Sequence, residues 1–469
     1  MTMPKAQQSY HIATFGCQAN ISDSERVAGV LELAGYQKAQ DEERADILVY
    51  NTCSVRQSAE DRVFGRNKHF TALRAKKPHL KVILTGCMMH HEKRVLKRRL
   101  PEVDIFLPIR DLMHLPEKLG KRIQEEPVEY LTFTPQYGST FRAYVPISFG
   151  CNNFCTFCIV PFSRGREYSR PAAEILSEVR ALAEKGYKEI WLLGQNVNSY
   201  GITELTQKTV WDNKTRKGIK PKIQEWRMTF ADLLRAANAV PGDFWIRFTS
   251  PHPKDFSDDL IAAIAECEKM QPYINLPVQS GDNEVLKRMN RTYTREHYIE
   301  LVKKIRAKNP GISLSTDTIV GFPEETEEQF QNTLALYKEI GFDMAFIAEY
   351  SPREKTAAAL AFKDDVPRDV KKERRERLTD MLRSSALARN KTLVGTTMRV
   401  LVDEQKNGRL FAKTPGNKTV ELLPQHSVLC DSGTPSVGRL ELAVGEFVTV
   451  KITEAEPWKL VGKIVNVKK

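Results

Sequence analysis

The periodic spacing of apolar segments is the feature of this sequence that most constrains its fold. Between residue 10 and about residue 125, short apolar runs alternate with longer amphipathic stretches. Nearly continuous apolar strands separated by helices are typical of a parallel sheet that is covered on both faces. We therefore predict a small α/β domain at residues 1–135, which ends in the Pro- and Gly-containing segment 127–138. Its four predicted strands lie at 10–15, 46–50, 81–85 and 104–107.

A second and longer alternation of strands and helices begins near residue 140. Its six predicted strands lie at 143–148, 188–193, 244–248, 274–277, 312–319 and 343–348. Six βα units are two fewer than a closed eightfold barrel needs, so we predict a partial (βα)6 barrel over residues 139–388. Active-site residues are then expected on the loops that follow the strands. The long basic loop at 201–224 is either a solvated insertion or a nucleic-acid contact.

The periodicity changes again towards the end of the chain. The basic segment 367–391 is predicted to be a helix, and its i, i+4 charge pairs indicate solvated charges. After it, five short segments alternate apolar and polar residues between Gly and Pro turns, which is typical of a small antiparallel β-barrel. We place this barrel at residues 390–469. The predicted fold class is thus α/β, with a parallel α/β domain, a partial barrel and a C-terminal antiparallel β-barrel.

Composition excludes several classes of protein. No apolar run in the 469 residues approaches the roughly 18 residues of a membrane helix, and the N-terminus lacks the features of a signal peptide. We therefore expect a cytoplasmic protein that does not enter a membrane. In that reducing compartment its eight cysteines are available for metal binding, catalysis or burial rather than for disulfides. The net charge of +12 is compatible with a polyanionic partner.

Three of the cysteines form a C-x-x-x-C-x-x-C motif, which we call the barrel trio. Cys151, Cys155 and Cys158 directly follow the first predicted barrel strand, so they lie on a loop at the active-site edge. Three thiolates on one short loop can bind three irons of a four-iron cluster and leave the fourth iron open. The alternative is a zinc site, but structural zinc needs four protein ligands and no fourth Cys or His is nearby in the sequence. We therefore predict an iron–sulfur cluster here.

Three further cysteines, which we call the N-terminal trio, follow strands of the first domain. Cys17, Cys53 and Cys87 each lie within three residues of the end of a predicted parallel strand. Because the loops after parallel strands converge at one edge of a sheet, these cysteines are predicted to meet in space. One such cysteine alone would indicate a buried core residue, whereas three in equivalent positions indicate a metal site with an open position for an exogenous sulfur ligand. The remaining Cys267 and Cys430 are interpreted as small core or surface residues.

Motifs of other enzyme classes are missing from the sequence. It contains neither G-x-x-x-x-G-K-[ST] nor G-x-G-x-x-G. No order of Ser, His and Asp stands out either, so hydrolase functions have no support in the sequence.

The combination of a three-cysteine α/β domain, a C-x-x-x-C-x-x-C barrel and a C-terminal β-barrel resembles the radical S-adenosylmethionine (SAM) methylthiotransferases over essentially the whole chain. The resemblance implies two [4Fe-4S] clusters, one at each trio, with SAM at the open iron of the barrel cluster and an RNA-binding barrel of the TRAM type. It also implies that Phe157 packs near the adenine of SAM, and a simple loop anchor is the alternative. Other SAM contacts are expected near strand ends, at Gln195, Ser250, Gln279, Ser280, Arg291, Asp317, Gly321 and Pro352.

The segments around the cysteines resemble one branch of this family. TFGCQAN around Cys17, NTCSVRQSAEDRVFG around Cys53 and GCNNFCTFCIVPFSRGREYSRP around the barrel trio are similar to the branch that acts on isopentenylated adenosine in tRNA. Two segments depart from the pattern of that branch. GCMMHHE carries His90 and His91 where small or Gln residues are expected, and YSPREKT lacks the usual Pro-Gly after YSPR.

This branch adds a methylthio group to carbon 2 of an isopentenyl-adenosine next to the anticodon, so the resemblance implies a tRNA anticodon stem-loop as substrate. That carbon bears a hydrogen with no acidity for a base to exploit, which is why a radical is required. The six cysteines would then be ligands rather than nucleophiles. The implied partners are an electron donor such as flavodoxin or ferredoxin and a sulfur source or iron–sulfur carrier, and we expect a monomer. Arg164, Arg166 and Arg170 are candidates for phosphate contact, with solvated arginines beside a helix start as the alternative.

Three alternatives to this function stay open. A methylthiotransferase acting on threonylcarbamoyl-adenosine in tRNA, or on an aspartate of a ribosomal protein, would keep both clusters. The former branch tends to have Lys after the first cysteine and the latter Pro, whereas this chain has Gln18. A non-catalytic iron–sulfur RNA-binding protein would explain the basic segment 391–469, with 12 Lys plus Arg against 8 Asp plus Glu, but not six cysteines at strand ends.

Overall fold

A parallel five-stranded sheet forms the N-terminal domain. The computed structural model describes residues 8–54, 57–123, 130–201, 210–212, 217–219, 228–423 and 442–466. The strands of the domain are β1 (Ser9–Phe15), β2 (Gln37–Lys38), β3 (Ile47–Thr52), β4 (Lys81–Gly86) and β5 (Ile105–Leu107), in the sheet order β2-β1-β3-β4-β5. Its helices are α1 (Gln18–Leu33), α2 (Gln57–Phe64), α3 (Asn67–Lys76), α4 (Lys93–Arg99) and α5 (Leu115–Lys118). Short 3-10 turns occupy Cys87–His90, Ile109–His114 and Tyr130–Thr132.

Both faces of this sheet are covered, as the continuous apolar runs predict. Side chains along β3 alternate between two cores, because Val49 belongs to one core while Leu48 and Tyr50 belong to the other. All six residues of β3 are buried, which explains its uninterrupted apolar sequence. The four predicted strands are therefore confirmed, and the structure adds the short edge strand β2.

Six parallel strands form a partial barrel in the middle of the chain. The strands of this region are β6 (Arg142–Pro146), β7 (Ser148–Phe149), β8 (Tyr168–Ser169), β9 (Glu189–Leu193), β10 (Val210–Asp212), β11 (Lys217–Ile219), β12 (Trp245–Phe248), β13 (Tyr273–Asn275), β14 (Ser313–Val320) and β15 (Met344–Glu349). Its helices are α6 (Val160–Ser163), α7 (Ala172–Glu184), α8 (Phe230–Asn238), α9 (Asp258–Glu266), α10 (Asn283–Arg288), α11 (Arg295–Lys308), α12 (Glu327–Ile340), α13 (Ala357–Ala361) and α14 (Arg368–Lys391). The barrel strands are arranged as two parallel sheets, β12-β9-β6 and β13-β14-β15, which a bridge between Ile246 and Met270 joins. The predicted partial (βα)6 barrel is confirmed.

Two regions that the sequence analysis singled out are only partly described. In the basic loop 201–224, β10 and β11 pair as antiparallel strands, and most other positions lie outside the described residues. Cys430 also lies outside the described residues. Cys267 is buried in the main core of the barrel, as expected for a structural cysteine.

The C-terminal segment closes into a five-stranded barrel, as its alternating pattern predicts. Its strands are β16 (Thr397–Lys406), β17 (Arg409–Lys413), β18 (Thr419–Leu423), β19 (Phe447–Ala455) and β20 (Leu460–Asn466), in the closed order β16-β17-β18-β20-β19. Neighbouring strands pair antiparallel, as predicted, except β18 and β20, which pair parallel. It docks at the amino ends of the central strands, where the fully buried Arg247 donates to Thr414 O (2.9 Å) and Pro415 O (2.8 Å). Arg247 also pairs with Glu189 at 2.6 Å. This small barrel therefore lies opposite the carboxyl ends of the strands, where the barrel trio is found.

Helix α1 joins the N-terminal domain to the partial barrel. It is buried along most of its length, including polar residues that would be expected at a surface. Ser22 Oγ donates to Tyr144 O of β6 (3.1 Å), and Arg26 lies 3.6 Å from a carboxylate oxygen of Glu178 on α7. The polar face of α1 is therefore the domain interface.

Helix α14 corrects one expectation from the charge pattern. Lys372 and Glu376 form an exposed i, i+4 pair, as predicted. Lys371 and Arg374, however, are each 4% exposed, because Lys371 Nζ donates to a backbone carbonyl (3.1 Å) and Arg374 pairs with Glu325 (2.8 Å). One face of this basic helix therefore packs on the barrel. Although α14 has 24 residues, none of the helices in the described segments is long and apolar enough to cross a membrane.

Candidate metal centre

The barrel trio lies on a loop that follows β7 and is fixed by distant segments. Backbone hydrogen bonds join Thr156 N to Met289 O (3.0 Å) and Ala358 N to Thr156 O (2.8 Å). Gly150 opens the loop with φ of +80°, and a Cβ there would lie 2.2 Å from the carbonyl oxygen of Arg166. The loop is therefore held in one conformation, and position 150 accepts only glycine.

The three thiols of the barrel trio lie near one another and near a buried cation. Burial is the main reason that the pKa of Cys151 rises to about 11 and that the pKa of Cys158 is also raised, and the neighbouring Cys155 adds to both shifts. Arg291 Nη1 lies 3.4 Å from Cys155 Sγ. Because iron binds the thiolate, cluster assembly at Cys151 and Cys158 has to release these protons.

The N-terminal trio meets at the carboxyl edge of the first sheet. The residues before the cysteines are in register across β1, β3 and β4. A hydrogen bond with the Cys53 thiol is the main reason that the pKa of Cys17 falls to about 6, and the charge of Arg164 adds to this shift. Arg164 also interacts electrostatically with Cys87, so it lies near two of the three sulfurs. The geometry brings the three cysteines together, and their role as ligands stays a prediction.

Two asparagines hold the loops that carry the N-terminal trio. Asn20 Nδ2 donates to Asn51 Oδ1 (3.0 Å), Asn51 Nδ2 donates to Asn20 O (2.8 Å), and Asn20 Oδ1 accepts from Cys17 N (3.3 Å). A Cβ at Gly16 would lie 2.2 Å from Asn20 Oδ1, and a Cβ at Gly86 would lie 2.3 Å from Asn51 Oδ1. The glycine before each of two cysteines therefore makes room for these amides. Neither asparagine was predicted from the sequence, although the repeated Gly-Cys pair is a signal for them.

Neither trio is closed around a single metal ion. In the part of the chain that the structure describes, only Glu60, His90 and His91 bring three ligand atoms within 4.8 Å of one another. Thiolates bound to one zinc at about 2.3 Å would lie about 4 Å apart, which neither trio provides for all three sulfurs. A larger inorganic core spread over three sulfurs fits each trio better, and an iron–sulfur cluster is such a core.

The two trios belong to segments that pack against each other across the domain interface. Helix α6 follows the barrel trio, and it packs against the turn Cys87–His90, which begins with a cysteine of the N-terminal trio. Arg164, directly after α6, lies 2.5 Å from a carboxylate oxygen of Asp23 on α1, and the Tyr130 hydroxyl also donates to Asp23. All three side chains are buried. The two trios thus lie on either side of one buried junction.

Two of the three arginines predicted to contact RNA are buried in ion pairs. Arg164 is 4% exposed in the pair just described, and Arg170 is 9% exposed and pairs with Glu178. The prediction is wrong for both, and so is the alternative of solvated side chains, because carboxylates inside the protein hold these guanidinium groups. Arg166 is exposed, and its guanidinium lies 4.8 Å from the centre of the Phe154 ring. It is the one of the three that RNA can reach.

Four of the predicted SAM contacts lie on or just after the barrel strands. Gln195 Oε1 accepts a hydrogen bond from Gly150 N (2.8 Å), at the start of the barrel-trio loop. Gln279 N donates to Asp317 O (2.8 Å), which joins the loop after β13 to β14. Ser250 and Gln279 have φ of +60° and +71°, and such conformations of non-glycine residues are concentrated at functional sites. Their positions fit the prediction, and contact with SAM itself stays a prediction.

Four other predicted SAM contacts differ in burial and in the elements that they contact. Ser280 is fully buried, with its hydroxyl facing α12. Gly321 has φ of +66°, and a Cβ there would lie 2.3 Å from Lys371 Cγ, so this glycine allows α14 to approach. Phe157 packs against a small core that includes part of α10, which fits the loop-anchor alternative. Pro352 is exposed.

Comparisons with known proteins cover all three parts of the chain. Family models match for the Radical SAM superfamily at residues 145–337, the Uncharacterized protein family UPF0004 at 9–108 and the TRAM domain at 391–465. A relative from Clostridium perfringens (strain SM101 / Type A) is 40% identical over 97% of this chain and 97% of its own length. Another from Thermoanaerobacter pseudethanolicus is 40% identical over 98% of this chain and 93% of its own length. Both are named tRNA-2-methylthio-N(6)-dimethylallyladenosine synthase.

A solved structure supports the fold independently. The radical S-adenosylmethionine methyltransferase TsrM from Kitasatospora setae matches with a TM-score of 0.53 and 13% sequence identity, covering 75% of this chain and 77% of its own. At that identity the likeness shows the fold alone.

The partial barrel, its C-x-x-x-C-x-x-C loop and the family models together define a radical SAM enzyme of the methylthiotransferase type. An iron–sulfur cluster and SAM are therefore supported as its cofactors. Within that class, the chain belongs to the tRNA-2-methylthio-N(6)-dimethylallyladenosine synthase family.

Proposed function

We propose that this chain transfers a methylthio group to carbon 2 of an isopentenylated adenosine in the anticodon loop of tRNA. The observation that carries the proposal is the contact between α6 and the turn Cys87–His90, because it brings both trios to one interface. A reaction that joins a radical site to a sulfur site needs such an arrangement. When bound, two [4Fe-4S] clusters and SAM supply the radical, the sulfur and the methyl group.

The residues around the barrel trio give this chemistry a fixed position. Arg291 contacts Cys155 and is itself held by Tyr293 Oη (2.9 Å) and Pro277 O (3.0 Å). A guanidinium with three partners cannot swing towards solvent, so it keeps a positive charge beside the sulfur. Gln195 fixes the opposite end of the same loop through Gly150 N. These contacts position the loop that carries the three cysteine sulfurs before any ligand arrives.

The inner face of the barrel offers an apolar surface for the isopentenyl group. Met344 and Phe346 on β15 are 39% and 46% exposed. Ala345 and Ile347 pack against the main core, so alternation turns Met344 and Phe346 to the opposite face. Strand pairing places Phe346 beside Asp317 of β14 on that face. An aromatic ring and a thioether can contact the apolar isopentenyl chain while polar groups bind the base.

Exposed aromatic side chains near the barrel trio provide a surface for the loop nucleotides. Phe154 and Phe162 are 41% and 46% exposed, and the guanidinium of Arg166 lies against the Phe154 ring. Bases of a single-stranded loop stack on such side chains, and the target adenosine has to leave its stack to be modified. The C-terminal barrel docks at the other end of the strands, so the tRNA would contact the chain at two separated places.

The remaining components of the proposal are those that the chemistry requires. A one-electron donor such as flavodoxin or ferredoxin delivers electrons, and a sulfur source or iron–sulfur carrier replaces the sulfur that leaves with each product. Cys155 and Cys158 are partly exposed, which supports access of a donor from solvent. Both trios come from one chain, which supports a monomer as the active form. We propose the cytoplasm, where tRNA is modified, as its location.

The nucleosides of cellular tRNA test this function. A strain that lacks the gene is complemented with the wild-type chain, with Cys155→Ala or with Cys267→Ala, whose cysteine is buried in the main core as a matched control. Bulk tRNA is digested and its nucleosides are quantified by mass spectrometry. We expect methylthio-isopentenyl-adenosine to be absent without the gene and with Cys155→Ala, with isopentenyl-adenosine accumulating in its place. The wild-type chain and Cys267→Ala are expected to restore the product.

The same digest distinguishes the alternatives. If the strain without the gene retains its methylthio-isopentenyl-adenosine, the proposal is refuted. A selective loss of methylthiolated threonylcarbamoyl-adenosine would also refute it and would assign the chain to that other branch. Unchanged tRNA together with loss of a methylthiolated ribosomal-protein aspartate would assign it to the third branch.

A further inference from the structure

A second group of metal-ligating side chains lies beside the N-terminal trio. Glu60 of α2, His90 of the turn Cys87–His90 and the adjacent His91 each offer one ligand atom, and these atoms lie within 4.8 Å of one another. Glu60 and His90 are 3% and 4% exposed, and His91 is half-buried. Neither trio uses these residues, and the proposed reaction gives them no role.

His90 has the hydrogen-bonding pattern of a histidine ligand. Its Nδ1 lies 2.9 Å from Cys87 O, so this nitrogen carries the proton and the lone pair is on Nε2. Nε2 is buried and has no hydrogen-bond partner among the residues that the structure describes. Histidines that bind metals usually donate their second ring N–H to a carbonyl or carboxylate in this way.

The other two residues and their neighbours complete an environment that favours a cation. His91 Nε2 lies 3.2 Å from Glu60 Oε1, and its Nδ1 lies 3.4 Å from Glu354 Oε2. Lys355 Nζ donates to His90 O at 2.7 Å. Two carboxylates therefore contact His91, and the ammonium of Lys355 contacts the backbone of His90.

This group also joins two domains. Glu354 and Lys355 follow β15 of the partial barrel, whereas Glu60, His90 and His91 belong to the N-terminal domain. The two segments in which this sequence departs from the pattern of its branch, GCMMHHE and YSPREKT, are therefore in direct contact. Because the two segments contact each other, one shared structural feature can account for both departures from the branch pattern.

We propose that Glu60, His90 and His91 bind one divalent transition-metal ion, which fixes the turn after Cys87 next to the barrel loop that contains Glu354. Two imidazoles and one carboxylate are ligands that suit zinc, which accepts a fourth ligand from water or a further carboxylate. The ion would satisfy the unpaired Nε2 of His90. It would be bound separately from both trios, and the proposal does not depend on the methylthiotransferase reaction.

Zinc binding to the cluster-loaded chain tests this site. The full-length chain is loaded anaerobically with iron and sulfide so that the cysteines are occupied, incubated with Zn²⁺ and desalted. Zinc, iron and sulfide are counted, and X-ray absorption at the zinc edge reports the ligands, because Zn–N and Zn–O distances of about 2.0–2.1 Å differ from Zn–S at about 2.3 Å. We expect about one zinc per chain with nitrogen and oxygen ligands only.

Matched variants separate this site from nonspecific binding. His90→Gln, His91→Gln and Glu60→Gln are each expected to lower zinc affinity at least about tenfold, while iron and sulfide contents stay unchanged. His69→Gln is the control, because His69 pairs with Glu42 at 2.7 Å in the same domain and no described residue adds a third ligand there. It is expected to keep full zinc binding. Sulfur ligands in the absorption spectrum, no retained zinc, or equal zinc in all variants would each overturn the proposal.

Discussion

Replacing Arg164 by leucine is expected to destabilise the junction between the N-terminal domain and the barrel. Arg164 and Asp23 are 4% and 1% exposed, and their closest atoms lie 2.5 Å apart. Leucine fills much of the same volume but leaves the Asp23 carboxylate buried, with the Tyr130 hydroxyl as its remaining side-chain donor among the described residues. The substitution therefore tests whether this ion pair holds the two trios in place.

The size of the effect follows from the burial of the pair. Removing one partner of a buried ion pair typically costs about 3–5 kcal/mol, because the remaining charge stays in a medium that solvates it poorly. Adding Asp23→Asn to Arg164→Leu removes that charge and is expected to recover about 2 kcal/mol. The exposed Arg166 is the control, and Arg166→Leu is expected to cost about 1 kcal/mol or less, since it removes only a contact with the Phe154 ring.

Urea unfolding of the anaerobically loaded chain measures these differences. Far-ultraviolet circular dichroism reports the loss of secondary structure, and the iron–sulfur absorbance reports the loss of the bound clusters in the same samples. A loss below about 1 kcal/mol for Arg164→Leu would refute the account, since it would mean that the pair is solvated. Strict additivity of the two substitutions would refute it as well, because residues in contact should couple.

Three further substitutions test other parts of the structure. Gly86→Ala is expected to halve the bound iron, because its Cβ would lie 2.3 Å from Asn51 Oδ1. Gly35→Ala is the control and is expected to keep the full iron content, since Gly35 also has a positive φ (+85°) but has open space around its Cβ position. Equal iron contents in the two variants would contradict the role of the asparagines. Burial raises the pKa of Glu25 from 4.5 to about 7, so the folded chain binds this proton more tightly. Its contribution of about 3 kcal/mol is present below pH 4.5 and is lost as the pH rises through 7. Glu25→Gln should therefore reduce the fall in melting temperature between pH 5.5 and pH 8, and an unchanged slope would contradict this. Phe346→Ala is expected to raise the KM for an isopentenylated anticodon stem-loop about tenfold through lost apolar contact, and an unchanged KM would remove Phe346 from the substrate surface.

Much of the fold could be predicted because the local spacing of apolar residues indicates each type of strand. Buried parallel strands such as β3 and β4 need continuous apolar runs, and the C-terminal barrel needs alternation, so each pattern indicates its own structure. The convergence of the N-terminal trio was predictable for a related reason, since loops after parallel strands share one edge of the sheet. The positions of the strand ends therefore indicate that Cys17, Cys53 and Cys87 are close in space, although they are far apart in the sequence.

The domain interfaces could not be predicted in this way. Asp23, Glu25 and Arg26 on α1 have the composition of a solvated helix face, yet each is at most 6% exposed because the barrel covers them. Arg164 was interpreted as a residue at the surface for the same reason. Burial of these charges depends on partners far away in the sequence, such as Glu178, and no local sequence pattern predicts those partners.

Contacts between loops that are distant in the sequence could not be predicted either. Glu60 and His91 are 31 residues apart, and His91 and Glu354 are 263 residues apart. The sequence showed that the two histidines and YSPREKT were unusual, but only the structure showed that these segments touch.

The central claim is that two cysteine trios on either side of one junction each bind a four-iron cluster. Iron and sulfide counts, with Mössbauer spectra, on anaerobically reconstituted protein test it most directly. We expect about eight irons and eight sulfides per wild-type chain, and about four of each when either trio is replaced by alanine. About four irons in the wild-type chain that are unaffected by replacing Cys17, Cys53 and Cys87 would contradict it, and so would zinc without sulfide at either trio.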